Sequence, residues 1–120
     1  MDRKGATNVV IIKVYREQGN IVALDVCGRA DAGRGGAAVE SAVAAIIHTL
    51  LMGLKSLRRI ALDLAEEETA MHIGIRRGFR RSDVQALMRA AGLGLQQQSK
   101  QYPYQVRVVE RIIYSDGVVL

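Results

Sequence analysis

Apolar and β-branched residues dominate positions 9–15 (VVIIKVY), which predicts a first strand, and the polar stretch at 16–20 follows it. Gly19 can take a positive φ there, so the chain is expected to reverse into a second strand at 21–27 and form a hairpin. In that second strand Val22, Leu24 and Val26 alternate with Ala23, Asp25 and Cys27. One face therefore seeks a core and the other carries the thiol, and Cys27 is expected to lean away from the apolar face. The run GRADAGRGG at 28–36 holds four glycines among nine residues and predicts a flexible loop.

Val39, Val43, Ile46, Ile47, Leu50 and Leu54 then recur at steps of three and four, the spacing of a helical apolar stripe, with Glu40, Ala44 and His48 on an adjacent flank. Gly53 and the basic Lys55, Arg58 and Arg59 mark its expected exit. Ile60, Leu62 and Leu64 alternate with Ala61 and Asp63 as a third strand; the acidic run Glu66 to Glu68 predicts a turn, and Met71, Ile73 and Ile75 a fourth strand. Ser82 followed by Asp83 suits the N-terminal cap of a second helix, with Val84, Leu87, Met88, Ala91 and Leu95 as its buried positions. Gly92 and Gly94 each cost about 1 kcal/mol of helix propensity relative to Ala, which points to close packing at both. Pro103 is expected to stop this helix, extended structure to resume over 105–114, and 115–120 to form a loose tail.

Hairpins separated by helices, in the order β-β-α-β-β-α-β, imply an α+β fold: a two-layer domain with an antiparallel or mixed sheet of about five strands and two helices packed on it. Residues 1–120 fit a single domain, with 1–8 and 115–120 as loose termini. Hydrophobic residues at 49% and charged residues at 24% exclude wholesale disorder and collagen-like structure. The lone cysteine excludes an internal disulfide scaffold and suits a reducing cytoplasm. The apolar run at 8–14 is broken by Lys13 and too short for a signal core or a membrane span, so neither export nor a membrane is expected. A net charge of +5 permits an acidic partner such as RNA without requiring one.

Arg76, Arg77, Arg80 and Arg81 flank Gly78 and Phe79, a set that could contact phosphate and stack a base, or could equally be a solvated loop before a helix. The glycines at 33, 35 and 36 lack the Lys and Ser/Thr of a P-loop. Cys27, His48 and His72 have no recognised metal spacing, so neither a metal nor any other cofactor is expected. His48 reads as a helix-flank residue and His72 as a strand-surface residue.

The loop and first helix, GRADAG followed by AAVESAVAAIIHTLLMGL, resemble the ribosomal-processing cysteine protease family called Prp. The second helix and its exit, SDVQALMRAAGLGLQQQSKQYP, are similar to that family too, and the likeness runs from about residue 9 to 110. The resemblance implies a cysteine peptidase that removes the N-terminal extension of a large-subunit ribosomal protein, works in the cytoplasm and forms a homodimer. It also implies a mobile substrate-passing loop, here Gly28, Arg29, Ala30, Asp31, Gly33, Gly35 and Gly36.

Members of the family carry a Gly-His-Ala-Gly or Gly-His-Ala-Asp loop and a helix opening with Asp-Ile-Val-Cys, and that His and Cys form the catalytic dyad. In this chain the His position falls on Arg29, the Cys position on Glu40 and the Asp position on Ala37. A cysteine near a helix start is activated because backbone N–H groups stabilise the thiolate and an imidazole takes its proton. Arg29 stays protonated and cannot act as a base, and a carboxylate is a far poorer nucleophile toward an amide than a thiolate. Peptide hydrolysis by the family mechanism is therefore not expected.

Arg29 and Glu40 can instead hold each other as an ion pair, or Arg29 can point into solvent while Glu40 caps its own helix. Cys27, two residues before Arg29, is the one conceivable substitute nucleophile, although an inert half-buried thiol is the blander reading. The expectation is thus a Prp-like pseudoenzyme acting by binding a ribosomal protein or a ribosome-associated partner. The alternatives are an active peptidase working through Cys27 and a small RNA-binding module using the arginines.

Overall fold

The first hairpin closes through a two-residue turn in which both central residues, Gln18 (φ 53°) and Gly19 (φ 83°), are left-handed. That pairing matches the right-handed twist of the flanking strands, β1 (Val10–Glu17) and β2 (Asn20–Gly28). The computed structural model describes residues 8–31, 33 and 35–114; residues 1–7 and 115–120, read above as loose termini, lie outside the described residues. The remaining elements are α1 (Gly36–Lys55), β3 (Ala61–Glu67), β4 (Ala70–Arg77), α2 (Ser82–Gln101) and β5 (Val106–Ile112). The element order is the expected one, and the class is α+β.

The sheet is mixed, in the order β3-β4-β2-β1-β5. β1 pairs antiparallel with β2 and parallel with β5, while β4 pairs antiparallel with both β2 and β3. Register puts Val10, Ile12 and Val14 beside Leu24, Val106 and Val108 on one face, and Ile73 continues that face into β4. These side chains join Val39, Val43, Ile47, Leu50 and Leu54 of α1 and Val84, Met88, Ala91 and Leu95 of α2 in one core. Both helices therefore cover the same face, which is the two-layer arrangement anticipated from the alternation. α1 is long and apolar enough by length and composition to cross a membrane, but here its stripe of Val39, Val43, Ile47, Leu50 and Leu54 is buried in that core.

Four expectations are corrected. Gly53 does not end α1; it lies inside the helix, which closes at Ser56, and a Cβ there would come within 3.2 Å of the Leu87 methyls. The glycine lets the two helices approach, so packing overrides its use as a stop signal. Ser82 is the first helical residue of α2 and makes no side-chain cap. The cap position is Arg81, whose guanidinium bonds the carboxylate of Asp83 at 2.7 and 3.1 Å, while Asp83 accepts from the Val84 N–H at 2.8 Å. Glu66 and Glu67 belong to β3, so the turn is confined to Glu68 and Thr69, and Leu64 on this edge strand is 44% exposed. On α2 the buried stripe includes Gln85 and Gly92, whereas Leu87 is only partly buried.

Gln85 explains its own burial. Its Oε1 accepts from the Ile21 N–H at 2.9 Å, and its Nε2 donates to the Ile21 carbonyl at 2.8 Å and the Phe79 carbonyl at 2.7 Å. The side chain thus satisfies backbone groups at the start of β2 and in the loop before α2.

Candidate functional site

The loop leaving β2 turns sharply at Gly28, where φ is 90° and a Cβ would lie 2.2 Å from the Val9 carbonyl oxygen. Only glycine fits such a position. Two residues on, Ala30 is buried in the core and pins the loop, which leaves Arg29 and Asp31 on either side of the anchor. The loop closes on α1 through the Gly36 N–H, which donates to the Asp31 carbonyl at 2.9 Å, while Asp31 also accepts from the Gly33 N–H at 3.0 Å. A Cβ at residue 36 would come 2.4 Å from that same carbonyl oxygen. Glycines at both ends of the segment therefore bring the loop onto the first turns of α1.

Arg29 and Glu40, 11 residues apart in the chain, meet at this closure. Glu40 Oε2 stands 3.8 Å from Arg29 Nε and accepts a hydrogen bond from the Ala30 N–H at 2.7 Å. The expected ion pair forms, and the alternative of a helix-capping Glu40 does not hold. The two are an ion pair beyond direct hydrogen-bond reach, and Glu40 does not cap its helix, since the first turn contains no acidic residue and the cap is Gly35. The carboxylate ties the loop backbone to the helix. With the Arg29 side chain 62% exposed, the ion pair contributes about 0–1 kcal/mol, less than the charged hydrogen bond to Ala30.

These residues line an open groove of about 230 Å³. Glu40, Ala44 and His48 line one wall from a single flank of α1, and Glu66, Glu67, Glu68, Thr69, Ala70 and Met71 form the other from the ends of β3 and β4. The flank read from helical spacing is thus the groove's own wall, and the exposed His48 belongs to it. No cysteine lines the groove.

Cys27 sits elsewhere. It pairs with Ile11 and Ala70 in register, on the sheet face that the helices leave uncovered, beside Lys13, Asp25 and His72. It is half-buried and free. His72 is committed to Asp25: its Nδ1 faces Asp25 Oδ1 in a short contact, while its Nε2 lies toward Gly74, away from the strand end that holds Cys27. Asp25 also accepts from the Tyr15 hydroxyl at 2.9 Å. Burial first, and then this hydrogen bond to the carboxylate, push the Tyr15 phenol above its ordinary pKa. The Tyr15–Asp25–His72 network was not visible in the sequence, because it depends on the register that sets Asp25 opposite His72.

The arginines at 76, 77, 80 and 81 lie at the other end of the strands. Arg76 bonds Asp63 at 2.8 Å, Arg81 bonds Asp83 and the Arg58 carbonyl, and Arg80 bonds Gln18 at 3.0 Å and lies 4.8 Å from the Phe79 ring centre. They do not reach the groove. Among the described residues no group of three or more His, Cys, Asp or Glu is placed to hold a metal ion.

Comparison with known proteins adds what the groove alone does not. A family model described as cysteine protease Prp matches residues 9–107. No curated protein matches the chain. Among solved structures, SMU.848 from Streptococcus mutans is 19% identical with a TM-score of 0.73, over 88% of this chain and 96% of that one. The essential ribosomal processing protease Prp from S. aureus, solved with a covalently linked product peptide and with a substrate peptide, is 16% identical with a TM-score of 0.77. That match covers 85% of this chain and 99% of the other. At such identities the structural likeness speaks for the fold, whereas the family model speaks for descent across most of the chain. The chain belongs to the cysteine protease Prp family.

Proposed function

We propose that this protein binds a peptide in the groove between α1 and the ends of β3 and β4 without cutting it. The segment bound is the N-terminal part of a large-subunit ribosomal protein or of a ribosome-associated partner. Membership of the family supports a peptide ligand, and the S. aureus relative has been solved holding one. The observation that carries the reading is the pairing of Glu40 with the Ala30 N–H and Arg29, where the family's motifs place Cys and His. A carboxylate held by a backbone donor and a guanidinium preserves the charge pattern of a thiolate and imidazolium but offers neither a good nucleophile nor a base.

Cytoplasmic location and a homodimer belong to the same reading, the latter supported by a sheet face that the helices do not cover. Sedimentation at micromolar concentration is expected to give twice the 13.1 kDa chain mass.

The function is tested with a fluorescent synthetic peptide spanning the N-terminal segment of the large-subunit ribosomal protein from the same organism. Saturable binding that weakens in Glu40→Ala, with no new fragment in the mass spectrum, is the expected result. Cleavage that disappears in Cys27→Ala would establish the active-peptidase reading instead.

A further inference from the structure

Beyond the groove, the opposite end of the molecule gathers arginines from three separate stretches of chain: Arg58 and Arg59 after α1, Arg76 and Arg77 at the end of β4, and Arg80 and Arg81 before α2. They are brought together by contact. Arg81 donates to the Arg58 carbonyl, Ala61 pairs with Arg77, and a Cβ on Gly78 would lie 2.9 Å from Ile60. Carboxylates neutralise two of the six, Arg76 through Asp63 and Arg81 through Asp83. Arg80 reaches the neutral amide of Gln18 and the Phe79 ring but no carboxylate, and Arg58, Arg59 and Arg77 make no side-chain hydrogen bond or ion pair within the described residues. Four positive charges therefore stand uncompensated on one end of a chain whose net charge is +5.

We propose that this end is a docking face for RNA, which grips the phosphate backbone through Arg58, Arg59, Arg77 and Arg80. Guanidinium groups suit phosphate because their planar fork offers paired donors to two oxygens. A lipid surface fits less well, since Leu57, Ile60 and Phe79 are partly buried and packed against the core rather than projecting from it. An acidic protein fits less well for the same reason: a protein interface draws its energy from a buried apolar anchor, and phosphate contacts need none. The choice of RNA over DNA rests on the ribosomal-peptide reading; the phosphate grip itself does not. Groove and arginine end lie at opposite ends of the strands, so a chain bound to a ribosomal protein segment by one would present the other to the adjoining RNA.

The test uses the full chain and a fluorescein-labelled 20-bp RNA duplex, with a DNA duplex of the same sequence, anionic vesicles of phosphatidylserine and phosphatidylcholine, and a poly-glutamate peptide as further probes. Four phosphate contacts correspond to an affinity for RNA that falls about 100-fold between roughly 50 and 200 mM salt. In the variant R58A/R59A/R77A that fall shrinks to about 3-fold, as one remaining contact requires. A second variant, K13A/K100A/R107A, removes the same charge elsewhere and is expected to keep the wild-type salt dependence. Equal losses in the two variants would reduce the effect to net charge and overturn the proposal. So would binding to DNA, vesicles or poly-glutamate with none to RNA. Because the peptide assay reads the groove alone, RNA binding can fail while peptide binding holds, and the reverse.

Discussion

The two ends of the sheet solve opposite problems with the same strands. At the groove end the chain folds back tightly, and its charges are mainly acidic: Glu40, Glu66, Glu67 and Glu68 against Arg29. Glu40 is occupied there by a backbone donor. At the far end the surface is basic, and four arginines have no counter-charge. Charges that hold the fold together are spoken for by neighbours, as Glu40 is by Ala30 or Asp83 by Arg81. Charges left without partners contribute nothing to folding and are free for a ligand. The comparison therefore separates residues whose loss should unfold a local segment from residues whose loss should change binding alone.

The largest difference is expected from Gly28→Ala. The added methyl would meet the Val9 carbonyl at 2.2 Å in a backbone with φ 90°, so urea denaturation should show a loss of about 3 kcal/mol or more. A loss below about 1 kcal/mol would mean that the loop does not hold this conformation. Gln85→Ala comes next, at about 2–3 kcal/mol in the same assay, because it leaves the Ile21 N–H and carbonyl buried without partners. Glu40→Ala should cost about 1 kcal/mol and accelerate amide exchange at Ala30, whereas Glu40→Gln, which can still accept that hydrogen bond, should leave the exchange slow. The basic end provides the contrast: R58A/R59A/R77A should melt within about 0.5 kcal/mol of wild type.

The smallest effect concerns pH. The Arg81 guanidinium bonded to Asp83 holds that carboxyl below its ordinary range, so its contribution is present above the ordinary carboxylate pKa and is lost as pH falls through the lowered one. Melting curves of wild type and Asp83→Asn should differ at neutral pH and converge in acid. A difference that persists below both pKa values would show that the Arg81 contact does not depend on charge.

Much of this comparison was legible in the chain itself. Alternation of Val22, Leu24 and Val26 with Ala23, Asp25 and Cys27 in β2 pointed to the core face. Helical spacing placed Glu40, Ala44 and His48 on one flank, and the likeness of the GRADAG segment and first helix to the Prp family implied that Arg29 lies near Glu40. What escaped was long-range and geometric. Gln85 lies within an apolar stripe, and nothing local reveals that it serves backbone groups 64 residues away in sequence. Gly53 carries the local signature of a helix stop, yet it marks a helix crossing. Asp25 and His72 meet only because two strands pair in one register out of several. Arg58 and Arg59 stand far from the arginines of β4 and α2 in sequence, so the basic end appeared as four residues rather than six.

The central claim is that the groove holds a peptide at a reaction centre whose two working groups have been exchanged for an inert ion pair. It is tested most directly by mixing the purified protein with the ribosomal N-terminal peptide and following binding by anisotropy and cleavage by mass spectrometry in the same tube. The account predicts saturable binding with the peptide intact after prolonged incubation. Turnover that grows in proportion to protein concentration would contradict it.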